Sequence, residues 1–150
     1  MPQDRLYFRQ LLSGRDFAAG DVVATQMRNF AYLIGDRETG DCVVVDPAYA
    51  AGDLADALEA DGMHLSGVLV THHHPDHVGG EMMGFELKGL AELLDRTAVR
   101  VHVNTHEAPW VARVTGIAMS ELTTHENHDK VTVGDIEIEL LHTPGHTPGS

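Results

Sequence analysis

Cysteine is almost missing from this chain: Cys42 is the only one in 150 residues. A single thiol cannot close an internal disulfide, so the fold must hold without one. Cys42 opens the apolar run Cys42-Val43-Val44-Val45, where it is expected to act as a small buried hydrophobe. Proline is sparse, at six residues, while 43% of the chain is hydrophobic, which excludes a proline-rich disordered segment. Basic residues are also few, 10 against 23 acidic ones, for a formal charge of −13. That charge repels phosphate backbones and argues against a nucleic-acid partner, although an acidic surface also simply aids solubility. No apolar run approaches the length needed to span a bilayer, and Met1-Pro2-Gln3-Asp4-Arg5 lacks the apolar segment of a secretion signal. The expectation is a cytoplasmic protein without a membrane partner. No repeat or low-complexity tract interrupts residues 1–150, which are long enough for one domain with a substantial core. Nothing in the sequence speaks to its oligomeric state.

Histidine, by contrast, is clustered. Residues 71–77 read Thr-His-His-His-Pro-Asp-His, directly after the apolar Val68-Leu69-Val70. A second cluster, His142-Thr143-Pro144-Gly145-His146, lies near residue 150. Imidazoles and a carboxylate at this density are transition-metal ligands, suited to zinc and, with an open position, to iron or manganese. If the strand before the run continues through it, His72 and His74 face one side and His73 the other. Asp76 and His77 are adjacent and need irregular backbone to converge; Pro75 and Gly79-Gly80 supply it. The run therefore offers two ligand pairs, which suggests two metals.

Strand-like and helix-like segments alternate. Leu6–Leu12 and Val22–Met27 read as strands, and Phe30–Ile34 and Cys42–Val45 as a hairpin around a polar turn. Asp53–Ala60 reads as a helix stopped near Gly62, and Leu65–Thr71 as a strand buried on both faces. Leu87–Leu94 has helical spacing, Val99, Val101 and Val103 alternate as in a strand, and Glu107–Val114 is a short helix with Pro109 in its first turn. Val131–Val133 and Ile136–Leu141 flank Gly134-Asp135 as a tight hairpin. The pattern predicts a mixed α/β sheet.

His72-x-His74-x-Asp76-His77 after an apolar strand resembles the signature of the metallo-β-lactamase-fold hydrolases. Thr143-Pro144-Gly145-His146-Thr147-Pro148-Gly149-Ser150 is similar to that family's next motif, and Asp46 to an aspartate that precedes its site. The resemblance implies a four-layer αβ/βα sandwich, with residues 1–150 forming its N-terminal portion. It assigns His72, His74 and His146 to a first metal and Asp76 and His77 to a second. Zinc is the expected cofactor, binuclear in a complete domain, with iron or manganese as alternatives. Asp76 is the implied catalytic residue, orienting a metal-activated hydroxide that attacks an acyl carbonyl. The family's bridging aspartate and last histidine have no counterpart here, so the domain is expected to be incomplete at its C-terminus.

The histidine motifs are most similar to the glyoxalase II branch, which implies hydrolysis of a small-molecule thioester. An iron-dependent persulfide dioxygenase is one alternative, and a non-catalytic metal-binding fragment is another. His73 is expected to face away from the metals. His142 and Asp46 are candidates for supporting ligand histidines. His64, His102, His106, His125 and His128 match no ligand spacing and are expected to be satisfied or solvated. Glu107 and Trp110 follow a strand end near where a substrate pocket could lie, with simple packing the expectation for Trp110. Met82, Met83 and Phe85 could line its mouth or pack in the core.

Overall fold

The computed structural model describes residues 5–150; Met1-Pro2-Gln3-Asp4, read above for a signal segment, lie outside them. Six strands form the main sheet in the order β1-β2-β3-β4-β7-β8. These are β1 (Leu6–Leu12), β2 (Phe30–Asp36), β3 (Asp41–Val45), β4 (His64–Leu69), β7 (Arg100–Asn104) and β8 (Leu122–His125). The first three run antiparallel as a meander, and β3, β4, β7 and β8 run parallel. A parallel connection needs a crossover, and helices provide it. Between β3 and β4 runs α2 (Ala51–Ala60), and between β4 and β7 runs α4 (Leu90–Arg96). Between β7 and β8 runs α5 (Ala108–Thr115).

Strand alternation separates two cores. Cys42 and Val44 point to the face covered by Leu54 and Leu58 of α2, Leu90 and Leu93 of α4 and Val111 of α5. Val43 and Val45 point the other way and, with Leu69, meet Val131 and Val133. Those two valines belong to the hairpin β9 (Lys130–Val133) and β10 (Ile136–Glu139), which lies across that second face. The hairpin packs against Tyr32 and Ile34 of β2 but leaves Phe8 and Phe30, which flank Tyr32, more than 40% exposed. Asp36, at the end of β2, anchors the hairpin by accepting from Asp135 N–H at 2.8 Å while paired with Arg5. Among the described residues, no helix is long and apolar enough to cross a membrane.

Two expectations need correction. Val22–Met27 is a helix, α1, not a strand. The Asp21 carboxylate accepts from Ala24 N–H at 3.0 Å, capping its start, and Arg28 ends it in the left-handed region at φ 54°. The strand propensity of Val22, Val23 and Thr25 loses because β1 pairs directly with β2, leaving no ladder for an intervening strand. The helix expected from Leu87 starts only at Leu90, because Leu87 belongs to the small strand β6 (Phe85–Leu87), paired with β5 (Gly80–Met82). Gly89 caps α4, with its N–H donating to the Glu92 carboxylate at 2.6 Å. Only glycine fits there, since a Cβ would lie 2.6 Å from Val78 O and 2.7 Å from Pro47 O. Met83 and Phe85 are exposed beside this hairpin, and Cys42 is buried in the main core.

Candidate metal centre

The site forms at the C-terminal ends of the parallel strands, where loops converge on one edge of the sheet. β4 ends at Leu69, so the histidine run is not a continued strand. His72 and His74 nevertheless converge, because residues 70–74 leave the sheet as an extended loop before α3 (Pro75–Val78). His74 is the N-cap of α3 and Pro75 its first residue, which places Asp76 and His77 together on one helical turn.

His72, His74 and His146 each turn a nitrogen to a common point, all within 4.8 Å of one another. Their rings stand edge-on in pairs, with centroids 4.8, 4.9 and 4.7 Å apart and interplanar angles of 83, 74 and 88°. Three mutually perpendicular walls make a cup. Small side-chain rotations bring its nitrogens to the roughly 3.3 Å separation of two ligands on one tetrahedral zinc.

The tautomer of His72 follows from its partners. Thr71 has one hydroxyl proton and gives it to Asp46 Oδ2 at 2.5 Å. Its oxygen lies 2.8 Å from His72 Nδ1, which must therefore donate. That leaves Nε2 as a bare lone pair, and this atom is buried with no hydrogen-bond partner among the described residues. A buried acceptor without a donor is costly, and a cation in the cup would satisfy it. Burial, reinforced by neighbouring His77, pushes His72 down to about 4, so its ring is neutral near neutral pH. His74 is lowered too, by burial and then by His73 and His146. Two imidazoles with depressed values, the facing ring of His146 and an orphaned buried nitrogen fit a divalent transition metal.

Asp46, at the end of β3, supports this arrangement from below. Its φ of 55° is left-handed, a conformation aspartate tolerates better than most residues, and it turns the carboxylate under the loop. Asp46 accepts from Thr71 N–H at 2.8 Å, from the Thr71 hydroxyl and from His77 Nδ1 at 2.9 Å. Asp46, His72 and His77 also form a close group, but hydrogen bonds occupy the Asp46 oxygens, so Asp46 is a support in this geometry. With Nδ1 donating, His77 Nε2 is an acceptor, 3.2 Å from the Asn29 amide nitrogen and 3.6 Å from Asp76 Oδ2. Burial lowers His77, but the hydrogen bond to Asp46 and the charges of Asp46 and Asp76 together lift it above the ordinary histidine value.

Asn29 and Tyr49 are site residues that the sequence reading missed. The Asn29 amide donates to Asp76 Oδ2 at 2.9 Å and lies 3.2 Å from His77 Nε2. Its carbonyl accepts from the Tyr49 hydroxyl at 2.6 Å. No spacing rule links a residue before β2 to a motif after β4. His73 turns away from the cup, stacks on Trp110 at 5.6 Å and bonds to Glu107. Trp110 is 41% exposed and also carries the Arg113 guanidinium over its ring, so it packs at the surface. His142 points to the Pro148 carbonyl at 2.9 Å and bears on the second loop's shape, not on the cup.

Comparison with known proteins identifies the family. Residues 24–150 match the model of the Metallo-beta-lactamase superfamily, and the chain belongs to that family. Within it, the chain is 41% identical over 126 residues to a hydroxyacylglutathione hydrolase from Rhodopseudomonas palustris, covering 84% of this chain and 43% of that protein. A hydroxyacylglutathione hydrolase from a Bradyrhizobium species is 41% identical over 119 residues, covering 79% and 40%. The chain thus spans less than half the length of these curated relatives. Among solved structures, ETHE1 from Myxococcus xanthus superposes with a TM-score of 0.65 at 26% identity, covering 96% of this chain and 51% of that one. A metallo-beta-lactamase from Staphylococcus aureus superposes at 0.66 with 20% identity, over 97% and 37%, which establishes the metallo-β-lactamase fold.

Proposed function

We propose that this chain carries the metal-binding part of a thioester hydrolase that acts on an S-acyl conjugate of a small thiol, as the name of the hydroxyacylglutathione hydrolase relatives suggests. The observation that carries the reading is the cup of His72, His74 and His146 with its orphaned His72 Nε2. These three would hold a first divalent cation, zinc by the preference of imidazole donors, and Asp76 and His77 would contribute to a second. A bound cation supplies Lewis acidity toward the thioester carbonyl and lowers the pKa of water.

The chain's own groups do the positioning. Asp46 fixes the ring of His77 through Nδ1 and, through Thr71, that of His72. Asn29 holds one oxygen of Asp76 and leaves the other able to accept a proton from the attacking water and so orient it. Addition of water to the carbonyl carbon breaks the C–S bond and yields a carboxylic acid and a thiol. Iron-dependent persulfide oxidation is the less supported alternative, since the curated relatives carry the hydrolase name.

The test is thiol release from an S-acyl glutathione by the zinc-loaded protein, with a chelator control. Release that stops on chelation and is lost in Asp76→Asn supports the reading. Metal uptake without thiol release would favour a non-catalytic metal-binding role. Oxygen consumption with a persulfide would favour the dioxygenase.

A further inference from the structure

Glu107 is fully buried at the start of α5, on neither histidine motif, yet it touches both loops that supply the cup. Its Oε1 accepts from the backbone N–H of His73 at 2.7 Å and from the His73 ring nitrogen Nδ1. Its Oε2 accepts from the backbone N–H of Gly149 at 2.9 Å. His73 sits between ligands His72 and His74, and Gly149 is in the loop that presents His146. Three N–H donors on one carboxylate explain how it stays charged in the interior: burial alone would raise it, but these bonds hold it below the usual range.

The contact is shaped on both sides. A Cβ on Gly149 would lie 2.6 Å from Glu107 N and 2.8 Å from Glu107 Cβ, so glycine is what lets the second loop reach the carboxylate. On the first loop, Trp110 stacks on the His73 ring at an angle of 26° and fixes the plane in which Nδ1 donates. Within the Gly149 loop, Thr143 N–H donates to Ser150 O and Gly145 N–H to Thr147 O.

We propose that Glu107 is a positioning residue for the metal centre: one buried carboxylate clamps the His72–His74 loop to the His146 loop and sets the distance across the three-histidine cup. The proposal rests on the metal-site reading above and deepens it. A glutamine in its place has the same shape but a single acceptor oxygen. Whichever way its amide turns, an NH2 group faces either the Gly149 N–H or the His73 donors. The cup should then open on one side while the fold persists.

The test titrates the chain with cobalt(II) alone, following visible absorption against a competing chelator. The expected result is that Glu107→Gln and Gly149→Ala each weaken cobalt binding by roughly tenfold or more and alter the band shape of the bound ion. Gly149→Ala forces the second loop off Glu107 without changing the carboxylate, and it carries the test alone if Glu107→Gln does not fold. Leu58→Ala, on the far helix α2, should lower thermal stability and leave both cobalt affinity and spectrum unchanged. Variants that lose stability but keep the affinity and spectrum would overturn the clamp and leave Glu107 as a packing residue. A wild-type chain that takes up no cobalt would instead overturn the metal-site reading itself.

Discussion

Two groups of histidines lie at the same end of the sheet and differ in one respect. In the first, His72, His74 and His146 face one another edge-on, and His72 Nε2 has no partner. In the second, His102 on β7 and His125 on β8 are cross-strand neighbours whose Nδ1 and Nε2 lie 2.8 Å apart and satisfy each other. His125 also reaches toward Asp129 at 3.5 Å. This pair lines a cavity of about 310 Å³ with Thr71, Asn104, His142 and Thr143. Burial pushes both His72 and His102 down to about 4. A lowered histidine is therefore no mark of a ligand by itself. What separates a metal cup from a structural pair is whether the lone pairs already have hydrogen-bond partners.

Substitutions can break this contrast. The largest effect is expected for His74→Ala, which removes one of three ligands and should abolish tight zinc binding in equilibrium dialysis. Asp46→Ala comes next: it frees Thr71 and His77 while leaving every cup ligand in place, and should weaken zinc roughly 10- to 100-fold in the same dialysis. His102→Ala should leave zinc affinity unchanged and lower stability in urea by about 1 kcal/mol, the scale of one hydrogen bond.

The smallest effect concerns acid. The His102 imidazole is depressed by burial first, then by His125 and Arg100, and faces Asp129 only through His125. Its folded value of about 4 lies below the ordinary value near 6.5, so the unfolded chain binds the proton more readily in between. Its contribution to stability is present above about 6.5 and falls away as pH drops toward 4. In His102→Gln the loss of stability across that window should be shallower, measured by urea unfolding at a series of pH values with chelator present.

Much of the candidate site could be read from the sequence because its proposed ligands are close in the chain. His72, His74, Asp76 and His77 fall within six residues, and a short loop followed by one helical turn was enough to gather them. The expected route, a continued strand, is not the one observed; spacing constrained the ligands more tightly than the backbone carrying them. Strands with clear alternation, such as the one read from Val99, Val101 and Val103 and the Gly134-Asp135 hairpin, were legible for the same local reason. Val22–Met27 was not, because its β-branched residues favour a strand while the Asp21 cap and the direct β1–β2 pairing decide for a helix. Asn29, Tyr49 and the bonds of Glu107 were hidden for a different reason. Each joins elements 20 to 48 residues apart through one side chain, and such a contact has no periodicity to announce it.

The central claim is that His72, His74 and His146 share one metal while the His102–His125 pair holds none. Crystals of the chain grown with zinc, with data collected above and below the zinc absorption edge, test it directly. The predicted anomalous difference map has a peak bonded to His72 Nε2 and to the rings of His74 and His146, and none between His102 and His125. A peak on the His102–His125 pair with the three-histidine cup empty would contradict the account.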